Sequence, residues 1–255
     1  MMNKNLIYML SKIQFGRIPN TTFLSASDYI LEALRKEYPI VLPKKNVQTF
    51  QIQFKGAGIP EMIQEEDPVL TLVSANKEWA IRITPEHIIL HTKNYDCFDD
   101  FEKRMKKLLS ALQETLGISH FSFIGMRFLN KFPHSPDLVN EFGINRSEFL
   151  QPIIDGYNRG GSNLSSRYED MERRYFLSIN SGVVINGPKI TPELAELASD
   201  ILNPVDIDAG VVAHVDIDSF YFLEDRMEEF NLDVISNKLN ELRVASNAIF
   251  KHIVL

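Results

Sequence analysis

Residues 121–132 constrain this chain most. The run Phe121-Ser122-Phe123-Ile124-Gly125-Met126-Arg127-Phe128-Leu129-Asn130-Lys131-Phe132 alternates as a β-strand does. Yet an arginine and an asparagine interrupt an almost continuous apolar stretch. A charged group is rarely buried without a partner. Arg127 and Asn130 therefore either complete an internal polar network or face a site. Three residues apart on a strand, they point to opposite faces unless a bulge intervenes.

The segment just before it carries the clearest helical signal. Phe98, Phe101, Met105, Leu108, Leu109, Leu112 and Leu116 recur at spacings of three and four. Asp96 is placed to cap this helix, Asp99, Asp100 and Glu102 suit the positive end of its dipole, and Gly117 stops it. Upstream, Leu6 to Phe15 reads as a strand. A helix capped by Ser25 or Ser27 follows, with Ile30, Leu31, Leu34 and Tyr38 on one stripe and Pro39 ending it. Val47 to Phe54 alternates as a strand, and the acidic, proline-bounded residues 60–68 read as a loop. Val69 to Val73 and Glu78 to Ile83 form a hairpin, and Thr84-Pro85-Glu86 turns the chain into a strand from His87 to Thr92.

Beyond the apolar strand, residues 133–146 hold Pro133, Pro136 and Gly143 among polar residues, which marks a connector between a first half (1–132) and a second (147–255). A short helix is expected over 147–154 and a mobile loop over the glycine- and serine-rich 155–166. Glu172–Ile179 and Gly182–Ile185 suggest a strand pair. Thr191-Pro192-Glu193 opens a helix with Leu194, Leu197, Ala198 and Ile201 on its apolar face. Gly210 to Phe222 is a strong strand. Ile235, Leu239, Leu242, Ser246, Ile249 and Ile253 mark a long final helix. Each half thus runs through strands to a long helix. The expectation is an α+β fold of antiparallel sheets with long packed helices, and two related halves.

The 255 residues carry 34 acids against 27 bases, a formal charge of −7, which argues against a bulk electrostatic grip on nucleic acid. The single cysteine, Cys97, excludes an intramolecular disulfide and a multi-thiolate zinc site, and suits a reducing cytosol. No apolar run approaches the ~18 residues of a membrane span, so neither a membrane nor an exported location is expected. Met1 to Lys12 lacks the apolar length and cleavage site of a signal peptide and reads as the start of the first strand.

Several clusters carry candidate chemistry. His214, Asp216 and Asp218 share one strand face, where an imidazole and two carboxylates suit a divalent metal. The structural alternative is a solvent-facing strand with Val211, Ala213, Val215 and Ile217 toward the core. Arg127 suits a carboxylate or a phosphate, with Glu172 or Asp216 as internal partners. Arg167, Arg173 and Arg174, with Tyr168, Tyr175 and Arg159, form a basic–aromatic cluster of the kind that holds phosphates and stacks bases, although Glu169, Asp170 and Glu172 dilute it. His87 and His91 share a strand face, expected at the surface. Cys97 beside a helix start has no marked histidine partner. Gly156, Gly160 and Gly161 lack the lysine and hydroxyl of a phosphate loop, and no hydrolase, zincin, calcium-loop or dinucleotide fingerprint is present, so no cofactor is expected.

Four segments together resemble a known family. They are Leu6-Ile7-Tyr8-Met9-Leu10-Ser11-Lys12-Ile13-Gln14-Phe15 with Glu37-Tyr38-Pro39; Trp79 to Thr92 leading to Tyr95; Phe98-Asp99-Asp100-Phe101 with Ile124-Gly125-Met126-Arg127-Phe128-Leu129-Asn130; and Asp216-Ile217-Asp218 with Ala248-Ile249-Phe250. The combination is similar to a sporadically distributed family of uncharacterised bacterial and archaeal proteins of about this length. Relatives often carry a histidine in the final helix, where this chain reads Leu242-Arg243-Val244-Ala245-Ser246. The patchy distribution implies a mobile defence or toxin–antitoxin setting. Residues and resemblance together lead to a non-catalytic, cytoplasmic protein that binds a protein partner or itself. The alternatives are a metal-dependent nuclease using His214, Asp216 and Asp218, or a nucleic-acid binder using the Arg159–Arg174 region.

Overall fold

The computed structural model describes residues 5–43, 45–54, 60–133, 149, 155–157, 160–203, 205–223 and 226–254, with backbone alone for 45–54, 60–65 and 133. In chain order the elements are β1 (Leu6–Phe15), α1 (Asn20–Leu34), β2 (Ile40–Val41), β3 (Lys45–Phe54), β4 (Pro60–Val73), β5 (Trp79–Ile83), β6 (His87–Thr92), α2 (Phe98–Leu116) and β7 (His120–Pro133). Then come β8 (Ser162–Glu169), β9 (Phe176–Ile185), α3 (Pro192–Ala198), β10 (Val211–Phe222), β11 (Glu228–Glu229) and α4 (Leu232–Val254).

The strands form one sheet in the order β2-β4-β5-β6-β1-β7-β10-β9-β8, with β3 on β4 and β11 on β7. Every one of these pairings is antiparallel. The fold is therefore α+β, as the alternation of strands and amphipathic helices implies. The apolar strand of residues 121–132 lies within β7, at the centre. It pairs with β1 on one side (Leu10 opposite Arg127) and with β10 on the other (Asp218 opposite Arg127). The stretches before and after residues 133–146 consequently share a single sheet. The connector beyond Pro133, the helix expected over 147–154 apart from Phe149, and Arg159 lie outside the described residues.

The two faces of the sheet differ. On one, α1, α2 and α4 pack side by side and bury Met9, Ile13, Ile81, Leu90, Ile124, Met126, Val215 and Ile217. The helix stripes meet this face as their spacing predicts: Phe101, Met105, Leu108 and Leu112 from α2, and Ile235, Leu239 and Leu242 from α4, are all buried. Gly117 takes the left-handed conformation (φ 63°) that ends α2, a backbone state a Cβ would resist. On the opposite face, the segment around α3 lies across β5, β6, β1, β7 and β10. Ile190, Leu194, Ala198 and Ile201 pack there against Tyr8, Val73, Ala80 and Leu129.

Several local expectations are corrected. Asn20 to Leu34 form α1, so Ser25 and Ser27 lie inside it and return hydrogen bonds to Thr21 O and Phe23 O. The α2 cap position belongs to Cys97, not Asp96. Residues 60–68 belong to β4, paired with β3, rather than to a loop. The segment read as a mobile loop contains most of β8, and its partner β9 is one continuous strand from Phe176 to Ile185. Serine, asparagine and glycine obscure β8 because an edge strand needs no apolar pattern on its outer side. Among the described residues no helix is long and apolar enough to cross a membrane.

Candidate functional site

Polar groups on the α3 side of the sheet are engaged with one another. The Arg127 guanidinium meets Asp216 through Nε (2.9 Å) and Nη2 (2.6 Å), and reaches Glu193 of α3. Arg82 forks onto Asp200 (2.6 and 2.8 Å) and onto Glu196 (2.6 Å). Lys131 holds Asp208 and the Pro188 carbonyl, and Lys93 the Ile201 carbonyl. Beneath this layer Tyr8 Oη lies 2.9 Å from His91 Nδ1, and His91 Nε2 lies 3.4 Å from Asp200 Oδ2. Burial holds His91 below its ordinary range. With Tyr8 donating to Nδ1, the neutral ring directs its Nε2 proton toward Asp200. Two of these pairs, Arg82–Asp200 and Arg127–Asp216, sit largely out of water, so removing one partner costs about 3–5 kcal/mol.

This layer decides the fate of the metal candidates. Ala213, Val215 and Ile217 do face the core, but His214 and Asp216 are buried beneath the α3 segment rather than turned to solvent. Asp216 is taken up by Arg127. Among the described residues nothing hydrogen-bonds His214 Nδ1, and the ring is pushed down to about 4 by burial and by Lys131. Asp218 lies just beyond the covered zone, and burial first of all raises it to about 6. No group of three metal-capable side chains comes together among the described residues. His91 likewise is completely buried, not superficial, because α3 covers that part of β6.

The uncovered part of the same face carries a row of rings. Phe123, Phe220 and Phe176 stack across β7, β10 and β9 at centroid distances of 5.6 and 5.5 Å. Gly125 makes room for it, since a Cβ there would stand 2.9 Å from the Phe123 ring. Arg167 closes one end, 4.8 Å from the Phe176 centroid, and Lys12 the other, 5.9 Å from that of Phe123. Arg173 and Arg174 do not join Arg167. They sit in the turn before β9, where Asp170 accepts from the Arg173 N–H and Arg174 adopts φ 58°. Tyr175 is buried edge-to-face on Tyr221, while Tyr168 is exposed.

Asn130 points the other way, to the helix side. It borders a cavity of about 300 Å³ between the sheet, the start of α2 and the middle of α4. Phe98, Phe128, Phe250 and Tyr95 give it aromatic walls, and Asn130, Ser246, Asn247 and Arg243 give it polar groups. Tyr95 stands edge-on to Phe128 at 6.0 Å, and burial pushes its hydroxyl up to about 12. Arg243 lies 5.0 Å over the Phe98 ring and donates to Asn240, and no carboxylate among the described residues pairs with it. Cys97, exposed and at the α2 cap, borders the mouth. Aromatic walls with a few convergent polar groups are the usual make-up of a binding pocket.

Sequence reasoning reached Asn130 but not Tyr95, Phe98, Arg243 or Asn247 as its neighbours. The signal lay in the four segments behind the family resemblance, each of which sends a residue to this cavity: Leu6, Tyr95, Phe98 with Phe128 and Asn130, and Ile217 with Phe250. Compared with known proteins, the chain matches no family model and no curated sequence.

Proposed function

We propose that this protein is a non-catalytic binding component of the cytoplasm that accepts a side chain of a protein partner in the cavity between α2 and α4. The observation that carries this reading is the convergence of all four segments on one aromatic cavity with an arginine free of carboxylate partners among the described residues. An apolar or aromatic side chain fits between Phe98, Phe128 and Phe250, and Arg243 with Asn247 meets a polar or anionic neighbour at the mouth. The family resemblance supports a prokaryotic, mobile defence or toxin–antitoxin setting.

Asn247 is exposed, so Asn247→Trp fills the mouth without entering the core. Tagged wild-type protein purified from its native host is expected to retain a stoichiometric partner that N247W loses at unchanged thermal stability. Equal recovery of a partner by both, or no partner with either, overturns the proposal.

Nucleic-acid binding is the second reading, supported by Arg167 and Lys12 at the ends of the aromatic row. It predicts an affinity that falls steeply with salt. The rings stack on one another, which leaves their edges rather than their faces for a base. The metal-dependent nuclease reading finds less support, because Arg127 already occupies Asp216.

We also propose that the fold is a duplication. Outward from the β1–β7 pair the order is β1-β6-β5-β4 on one side and β7-β10-β9-β8 on the other. Each set is a central strand followed by three strands returning inward, then a long helix, α2 or α4. Phe149, which follows β7 in sequence as α1 follows β1, is buried in the same core as α1. The repeat boundary then falls at Gly117–Ser119, and β2, β3, β11 and α3 are additions.

A further inference from the structure

At one end of the sheet, β4 is flanked by the short β2 and by the ten-residue β3. The other ends in β8, eight residues long, whose backbone pairs with β9 alone among the described residues. Natural edge strands are usually shortened, bulged, or guarded by proline or an outward lysine. β8, Ser162-Asn163-Leu164-Ser165-Ser166-Arg167-Tyr168-Glu169, has neither proline nor lysine. Its one cation, Arg167, is drawn back over the Phe176 and Phe220 rings, away from the edge.

The side chains of β8 add a second observation. Leu164 is opposite Ser181 and Tyr168 opposite Leu177, so both lie on the face that β9 buries under the helices. Yet Leu164 is 41% and Tyr168 48% exposed. An apolar pair on the core side of an edge strand is what a continued sheet would cover.

We infer that β8 is a self-association edge, and that two copies of this chain join through antiparallel β8–β8 pairing with Ser166 on the two-fold axis. The register follows from the side chains. With Ser166 opposite itself, Leu164 of each copy faces Tyr168 of the other, so both exposed apolar residues are covered twice over. The same register sets Asn163 against Glu169, amide against carboxylate, and Arg167 against Ser165 rather than another arginine. A shift of two residues either way breaks the Leu164–Tyr168 match, and a shift of one turns the apolar pair to the opposite face. The partner is thus a second copy, and the product is one sheet running through both.

The test uses the full chain. Sedimentation over about 1–100 µM is expected to show a dimer, and Tyr168→Glu a monomer with unchanged circular dichroism. Opposite Cα atoms in such a ladder lie within disulfide reach. In a Cys97→Ser background, Ser166→Cys is therefore expected to form a disulfide dimer under mild oxidation, whereas Ser165→Cys, opposite Arg167, forms far less. A wild-type protein that stays monomeric overturns the inference. So does a dimer that Y168E leaves intact, or one in which position 166 crosslinks no better than 165. None of these outcomes depends on the cavity between α2 and α4.

Discussion

A single carboxyl group shows how the two faces of the sheet differ. Asp218 stands where the α3 cover ends, with no hydrogen-bond partner among the described residues but with Asp216 and Arg127 nearby. Burial lifts it from 3.8 to about 6, Arg127 opposes the rise, and Asp216 adds to it. A carboxyl group raised on folding favours the folded state below its unfolded value, and that contribution is lost as pH rises through about 6. Replacement by a neutral amide removes the loss. Asp218→Asn is therefore expected to exceed the wild type by about 1–3 kcal/mol at pH 7.5, with the difference vanishing near pH 4. Denaturant unfolding at both pH values measures it, and a pH-independent difference would refute the assignment. His87 and His214 act with the opposite sign. Burial pushes both down to about 4, so the stability they contribute above 6.5 is lost as pH falls through that range. Against that background, the asparagine variant should lose stability on acidification more steeply than the wild type. The sequence made Asp218 visible as part of an alternating polar row, but not its isolation. That depends on where α3 ends, which alternation does not encode.

Among the elements, α3 is the one its own sequence cannot sustain. Seven residues are too few for a helix to persist in water, where about 12–15 are needed. Its apolar stripe and the acids in and just after it hold it, Leu194 and Ala198 against Tyr8 and Leu129, and Glu193, Glu196 and Asp200 on Arg127 and Arg82. Arg82→Met leaves the buried Asp200 carboxylate without its main partner. Hydrogen exchange of the amides over 190–202 is expected to accelerate about 100-fold or more, while α2 and α4 keep their protection. Uniform acceleration across the molecule would mean that the cover and the core open as one unit. The stripe of α3 was legible in the sequence, as were those of α2 and α4, because a core-facing helix repeats every three to four residues. Its target was not. Arg82 interrupts an apolar strand as Arg127 does, and the two signals are of one kind; Asp216 was among the acids open to Arg127, but nothing in β5 names Glu196 or Asp200, more than a hundred residues from Arg82. The strands β4 and β8 were missed for a related reason: their polar residues match the composition of loops, and only pairing distinguishes them.

At the scale of the whole molecule, the arrangement about β1 and β7 accounts for why the chain's halves looked alike without showing where to divide them. The sequence suggested a division in the proline-bearing stretch after β7, where composition changes. The proposed duplication would divide it after α2, with β7 opening the second set as β1 opens the first. Composition marks loops, whereas a repeat is defined by the order of pairing. The proposal has a covalent consequence. Only Gly117, Ile118 and Ser119 separate α2 from β7. If the sets are related by a two-fold, the end of α4 stands to the start of β1 as α2 stands to β7. Ile253 and Val254 share a core with Leu6, as that relation requires. A circular permutant of residues 1–255 that begins at Ser119, ends at Ile118 and joins residue 255 to residue 1 through a short glycine–serine linker is thus expected to fold. Its cost should stay below about 2 kcal/mol, or roughly 4–8 °C in Tm, since no strand pairing or helix contact is cut. Circular dichroism and thermal unfolding decide the point. A permutant that remains unfolded with linkers of several lengths would mean that the end of α4 lies far from the start of β1, and that the likeness of the two sets extends to strand order alone.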